Sequence, residues 1–395
     1  MLTPSIKKNM HWIGVALLAL TQSAISWELI AHRGVFHDQQ TVYNTAENSL
    51  DAMVHAMAMR GVNGVEVDIR VSKDGVLFAF HDPNLNALTE KDNAGGTLNW
   101  VNVALKTREA PKAIPFSSLP AEDLVGTPLK IYGRGGYIVN RESASDPGLV
   151  TLEKLLETLK PANAQFTIML DVQAPFIADK SAALIRRMGL QHQVRIKFWA
   201  TLAIDPKFTG YNGADTCYRY ARAHGWGGIQ IIPEINEVNL VKGTDKLRVF
   251  GTTLSVGEYL DCWANAQKDH SGNGAAFMES VSAMYGNDVN PPTEAAANQA
   301  FDWAEKNGRK KVSVVVLPDA CTFAVGRRGG RRFWRVDKGV GGFSQQQDQV
   351  TRRLAFCDKR ADQCVIDVMG DFANYRASAD YDNYLNFLCP YHGAK

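Results

Sequence analysis

The chain has 395 residues, 45% of them hydrophobic and 21% charged, an ordinary globular composition with enough apolar material for one large core or two medium ones. A net charge of +2 argues against nucleic acid as the main partner, because that role leaves a strong basic excess. The local exception is "GRRGGRRFWR" at 326–335.

In chain order, the first feature is Lys7 and Lys8, the apolar run "WIGVALLAL" and then the small residues Ala24 and Ser26. This is the layout of a secretory signal peptide over 1–26, cleaved before Trp27, and it predicts a secreted or periplasmic protein. An uncleaved anchor is the alternative, although the run is shorter than the ~20 apolar residues of a membrane span. Export makes Cys217, Cys262, Cys321, Cys357, Cys364 and Cys389 candidates for disulfides, with the pairing left open. None forms a CxxC pair, which argues against zinc.

Strand-length apolar runs follow at Trp27–Arg33, Gly64–Val71, Val76–His81, Phe166–Val172, Val194–Ala200, Gly228–Pro233, Lys311–Pro318 and Cys364–Gly370. Amphipathic helices lie between them at Asn48–Met59 (capped by Asn48 or Ser49), Thr151–Leu159, Ala178–Met188, Thr293–Lys306 and Gln346–Cys357. Alternation of strands and helices predicts an α/β fold with a parallel sheet. Eight strands over 27–395 suit a (β/α)8 TIM barrel with insertions, with an open doubly wound sheet as the competitor. The segment 83–148 breaks the alternation and reads as an insertion capping the active-site end; 234–292 is a second irregular region.

Ionisable residues fall at successive strand ends. His32 and Arg33 end the first strand, Glu66 and Asp68 share a face of the second, His81 ends the third and Asp171 lies near the end of the fourth. Strand ends of a parallel barrel converge on one mouth. Three carboxylates gathered there repel one another unless a cation intervenes, and hard oxygen ligands favour Ca2+ or Mg2+. Two histidines can exchange protons near neutral pH, and the Arg33 fork suits phosphate oxygens, so the set describes phosphoryl chemistry. Taken singly, each has a plainer reading: a capped strand end, a solvated strand face, or an Asp82 turn before Pro83. "FHDQQ" also contains an HD pair, His37 and Asp38, in a polar loop. Phe198 and Trp199 read as aromatic core or as pocket lining. Arg327, Arg328, Arg331 and Arg332 flank Gly329 and Gly330 and read as an exposed mobile loop, with weak contact to an anionic lipid or polymer as its functional alternative.

"AHRG", "AENS", "VEVDIRVSKDGVLFAFHD" and the later "VIDVMGDF" together resemble the glycerophosphodiester phosphodiesterase family, whose pattern runs HRG, EN[TS], ExD, a short hairpin and HD. "DPNL" and "TLEKLLETL" add to the likeness, and His81 stands fifteen residues after Glu66. The resemblance implies a barrel and metal-dependent hydrolysis of a phosphodiester or lysophospholipid to an alcohol and a phosphomonoester, through attack by a neighbouring substrate hydroxyl. It implies proton transfer by His32 and His81, phosphate binding by Arg33, and a divalent cation on Glu66, Asp68 and Asp171. Glu47, of the EN[TS] motif, is placed near the site or the substrate, though a helix N-terminal acid reads the same way. Gln173 is a departure: the family's fourth-strand motif is usually ExK, whereas "LDVQ" offers Asp171 and Gln173. That change resembles sphingomyelinase D-like phospholipases, which release a cyclic phosphate, so this activity is one alternative. A non-catalytic phosphate-binding surface protein is the other.

Overall fold

The computed structural model describes residues 28–35, 45–59, 62–85, 114–129, 147–160, 165–200, 210–235, 240–271, 274–278, 280–284 and 291–307, and the strand backbones 131–132, 138–139, 311–316, 325–328, 331–334 and 364–369. The expected signal peptide, His37, Asp38, the helix at 346–357 and most of 83–148 lie outside the described residues.

The chain begins with β1 (Glu28–His32), α1 (Leu50–Ala58), β2 (Gly64–Val71) and β3 (Leu77–Ala79). Then come α2 (Ala121–Leu124), β4 (Ile131–Tyr132), β5 (Ile138–Val139), α3 (Leu152–Leu159), β6 (Thr167–Val172) and α4 (Pro175–Met188). Next are β7 (Val194–Trp199), α5 (Gly213–Ala223), β8 (Gln230–Ile235), β9 (Lys246–Val249), β10 (Thr252–Ser255) and α6 (Val256–His270). The last are β11 (Phe277–Met278), β12 (Ser280–Met284), α7 (Pro291–Lys306), β13 (Lys311–Val316), β14 (Val325–Arg328), β15 (Arg331–Trp334) and β16 (Cys364–Met369).

Eight strands pair in parallel in the order β1, β16, β13, β12, β8, β7, β6, β2, and β2 also pairs in parallel with β1. The fold is α/β with a parallel sheet, as the alternation of elements predicts. Local signals set the helix ends. The Ser49 hydroxyl accepts from the Ala52 N–H, Thr151 accepts from the Lys154 N–H, and Ser255 and Glu258 form a reciprocal capping box.

Three expectations need correction. The run at 76–81 is not a member of the parallel set: β3 is antiparallel to β2. The connection, Ser72–Val76, is a tight turn with the Gly75 N–H donated to the Ser72 carbonyl and Gly75 at φ 88°, far too short for the crossover a parallel pair requires. The region 234–292 is not irregular. It holds the fifteen-residue helix α6 and the parallel strand β12, whose "SVSAM" carries the buried serines Ser280 and Ser282 instead of an apolar run. Finally, the arginine-rich run is not a loop: β14 and β15 pair antiparallel, with Arg327 opposite Arg332 and Arg328 opposite Arg331.

The sheet's two faces differ in content. Val65, Val67 and Ile69 of β2 join Ile168 and Leu170 of β6 and Ile196 and Phe198 of β7 in the large core, with Met53, Leu155, Leu156 and Ile185 from the helices. The opposite face carries a small apolar layer of Ile30, Met169 and Ile232. Above it, parallel register sets His32 beside Glu66, Asp68 beside Asp171, and Asp171 beside Lys197.

A disulfide between Cys217 and Cys262 joins α5 to α6, with Cα atoms 5.7 Å apart and a sequence separation of 45. It closes a long loop in the unfolded chain, so removing it costs about 2–4 kcal/mol. The Cys217→Ala/Cys262→Ala protein should therefore unfold at a clearly lower denaturant midpoint than wild type, as measured by circular dichroism; an unchanged midpoint would deny the bridge any stabilising role.

Candidate active site

His32 is buried at the end of β1, with its Nδ1 3.3 Å from Glu66 Oε2. The next residue turns sharply. Arg33 adopts φ 58° and donates its backbone N–H to Glu66 Oε2 at 3.1 Å. Gly34 follows at φ 80°, where a Cβ would come within 2.8 Å of the Ala52 backbone, so α1 sits close against this turn. The Arg33 guanidinium meets two acids. Nη1 donates to both oxygens of Glu47, at 3.2 and 3.1 Å, and Nε lies 3.0 Å from Asp68 Oδ2.

Asn48 clamps the same carboxylate from the other side. It also has a left-handed backbone, φ 55°, and its amide donates to Asp68 Oδ2 at 2.9 Å while its carbonyl oxygen accepts the Asp68 N–H at 3.0 Å. Burial works against ionisation of Asp68, but Arg33, His81, His32 and the Asn48 bond outweigh it and hold the carboxyl well below the usual range.

Asp171 has the opposite fate. Burial, together with the negative charges of Glu234 and Asp68, pushes it up to about 7, against the lowering effect of Lys197. Lys197 is fully buried, and its Nζ lies 3.2 Å from Asp171 Oδ2, 3.6 Å from Glu234 Oε2 and 3.8 Å from Glu66 Oε1. One ammonium therefore faces three carboxylates.

Ligand oxygens of Glu66, Asp68 and Asp171 lie within 4.8 Å of one another. Asp171 Oδ1 is buried and accepts no hydrogen bond. Three hard oxygen donors with an unsatisfied lone pair fit a divalent cation of the Ca2+ or Mg2+ class.

The remaining expected residues form the rim. His81 is a third exposed, its Nδ1 is 2.7 Å from Asp82 Oδ1, and its pKa is raised: burial lowers it, but Asp68, Asp82 and Glu47 prevail over burial and Arg33. Gln173 accepts from Arg70 Nη2 at 3.0 Å. The structure thus brings His32, Arg33, Glu47, Glu66, Asp68 and Asp171 into one cluster, with His81 and Gln173 above it.

Sequence reasoning missed Lys197, Glu234, Asn48 and Arg70. A lysine inside the apolar strand "VRIKFWA" was a signal for the first, whereas Asn48 read simply as a helix cap. Phe198 belongs to the core, packed against Trp226 and Trp263 at 5.0 and 5.8 Å; Trp199 is half-buried beside it.

Residues 32–209 match the model of the glycerophosphoryl diester phosphodiesterase family. The match spans somewhat less than half of the chain and is a similarity of that segment to the family. A glycerophosphodiester phosphodiesterase from Caldanaerobacter subterraneus subsp. tengcongensis is 28% identical over 149 residues, which are 36% of this chain and 56% of that protein. The chain thus spans just over half the length of this curated relative. Among solved structures, a glycerophosphoryl diester phosphodiesterase from Parabacteroides distasonis aligns at 13% identity, with a TM-score of 0.48, over 89% of this chain and 86% of the other. A putative member from Silicibacter pomeroyi aligns at 16% identity, also with a TM-score of 0.48, over 90% and 94%. The family segment contains every expected site residue and Lys197; Glu234 lies beyond it.

Lys197 is the counter-charge of this acidic cluster. Its removal leaves buried carboxylates uncompensated, a loss of about 3–5 kcal/mol. Lys197→Met should show that loss in equilibrium urea unfolding, and wild-type stability would mean that the acids are satisfied in another way.

Proposed function

We propose that the chain is a metal-dependent glycerophosphodiester phosphodiesterase, releasing an alcohol and glycerol phosphate, on a (β/α)8 barrel. The observation that carries this reading is the buried triad Glu66, Asp68 and Asp171, with ligand oxygens within 4.8 Å, directly beside His32 and Arg33. The barrel reading is supported by the parallel pairings that run from β1 through β16 and return by β2. Glu66, Asp68 and Asp171 would hold the cation, Ca2+ or Mg2+. Bound there, it would offset carboxylate charge and polarise a phosphoryl oxygen.

The chain's own residues supply the rest. Glu66 orients His32 through Nδ1 and Asp82 orients His81 through Nδ1, so proton exchange falls to Nε2 of each ring. One imidazole takes the proton of the attacking hydroxyl of the glycerol moiety; the other gives a proton to the departing alcohol oxygen. Attack by the neighbouring hydroxyl is intramolecular and needs no second reactant to be held. The same pair then serves water in opening the cyclic phosphate. Arg33, set by Glu47 and Asp68, lies where it can meet a phosphate oxygen.

The Cys217–Cys262 disulfide supports the secreted or periplasmic location suggested by residues 1–26. The register that sets Arg327 opposite Arg332 and Arg328 opposite Arg331 supports weak contact with anionic lipid or polymer, since clustered basic residues attract anions. Small phosphodiesters and lysophospholipids are the proposed substrates.

Phosphorus NMR of a glycerophosphocholine reaction should show glycerol phosphate as the final product. Accumulated cyclic phosphate with no monoester would instead establish the sphingomyelinase D-like alternative that Asp171 and Gln173 suggest. His32→Ala and His81→Ala should each lower kcat by about 100-fold or more; wild-type rates in both would leave only a non-catalytic phosphate binder. EDTA should abolish turnover and Ca2+ or Mg2+ restore it, and full activity in chelator would remove the metal role from the triad.

A further inference from the structure

Glu66, Asp68 and Arg70 are successive residues on one face of β2, and Asp171 and Gln173 continue the facing line of β6. Arg70 therefore stands one step above the acids, toward the rim where His81 and Asp82 are partly exposed. Its guanidinium is held firmly. Nε donates to the His81 carbonyl at 2.8 Å, and Nη2 donates to the same carbonyl and to Gln173 Oε1.

The two arginines of the site differ in what holds them. Arg33 is ion-paired to Glu47 and Asp68, so two carboxylates offset its charge. Arg70 is held by a peptide carbonyl and an amide oxygen, both neutral, and makes no ion pair among the described residues. Its Nη1 donates to no described residue, and the side chain is half-buried, not sealed. A guanidinium with fixed orientation, no direct ion pair and a spare edge can receive an anion.

We propose that Arg70 binds the phosphoryl group of the substrate from the rim, and that Gln173 is its positioning residue. The inference rests on the phosphodiesterase reading for the identity of the anion and extends it to a residue that the motif pattern does not assign. Arg70 Nη1 donates to a phosphate oxygen, while Nε and Nη2 stay on the His81 carbonyl and Gln173. The phosphate is then bracketed between Arg70 above and the acid-and-histidine layer below, with its alcohol group directed to solvent. Gln173 suits this task because its neutral amide fixes the guanidinium without cancelling its charge; an acid there would form an ion pair and spend it.

The test is titration calorimetry of the full chain with sn-glycerol 3-phosphate, alongside steady-state kinetics on glycerophosphocholine, all in one Mg2+ buffer. Arg70→Gln should weaken glycerol phosphate binding about 10- to 100-fold and raise KM to match, with kcat changed far less. Gln173→Leu should weaken binding several-fold alone and have no further effect in the Arg70→Gln protein, as expected of two groups acting as one unit. If Arg70 merely braces the His81 segment, kcat falls while glycerol phosphate affinity stays at the wild-type value, and the proposal is overturned. Unchanged affinity with unchanged kinetics overturns it as well, as does a wild-type protein that binds neither glycerol phosphate nor inorganic phosphate. Should Arg70→Gln melt early, Arg70→Lys carries the test: the ammonium keeps the charge but cannot span both acceptors and the ligand, so affinity must still drop. Arg70-dependent binding in a chain that turns over no phosphodiester would sustain this site and defeat the hydrolase reading. Full turnover with an indifferent Arg70 would do the reverse.

Discussion

The interaction on which the site depends is the compensation of buried negative charge by Lys197 and Arg33. Glu66, Asp68, Asp171 and Glu234 are all buried, and Glu47 lies beside them. An ionised carboxylate left without a partner costs several kcal/mol even after relaxation, against a total stability of about 5–15 kcal/mol for a domain. Two such groups would be enough to unfold the sheet that carries them. Lys197 divides one positive charge among three acids, which is too little, and the shortfall shows in Asp171, whose carboxyl is pushed up to about 7. Asp68, which shares the Arg33 guanidinium with Glu47 and also accepts from the Asn48 amide, shows no shortfall. The cluster is therefore matched on the Asp68 side and under-matched on the Asp171 side, and a cation bound there would complete the balance.

Backbone strain supports the same arrangement. Arg33 and Asn48 both take left-handed conformations, which for residues other than glycine cost of order 1–3 kcal/mol each. The two are joined, since the Asn48 N–H donates to the Arg33 carbonyl at 3.0 Å. Each repays its strain with bonds to an acid: the Arg33 N–H to Glu66, and the Asn48 amide to Asp68. The turn after β1 and the entry to α1 thus act as one clamp on the carboxylates of β2.

How much of this could be read from the sequence depends on whether the determinant was local. The alternation of β2 is local, and it correctly separated Val65, Val67 and Ile69 from Glu66 and Asp68. The cap of α1 is local too, but Asn48 and Ser49 are equally good caps on paper; the structure uses Ser49 for the helix and frees Asn48 for Asp68. Lys197 and Glu234 escaped because their roles exist only once β2, β6, β7 and β8 are side by side, and no spacing along the chain encodes that adjacency. The third strand was misassigned for a different reason: its apolar pattern is that of a strand in either direction, and only the shortness of Ser72–Val76 shows that it must run backward.

The depth ordering of charge on β2 has a consequence for the substrate. From Glu66 through Asp68 to Arg70, one strand face passes from a fully buried acid to a half-buried base within five residues. A phosphodiester bears a single negative charge, so the acids repel it from the floor of the site while Arg70 attracts it at the rim. Electrostatics alone would hold the anion high. Drawing it down beside His32 requires more positive charge among the carboxylates than Lys197, shared among three of them, and Arg33, shared between Glu47 and Asp68, supply. A divalent ion on the triad can. On the proposed reading, the acid-rich floor and the basic rim would act in sequence, the rim selecting an anion and a cation-loaded floor bringing the phosphorus within reach of the imidazoles. On that reading Arg70 would govern affinity and the triad turnover, because only the second contact would depend on a charge that the polypeptide does not itself contain.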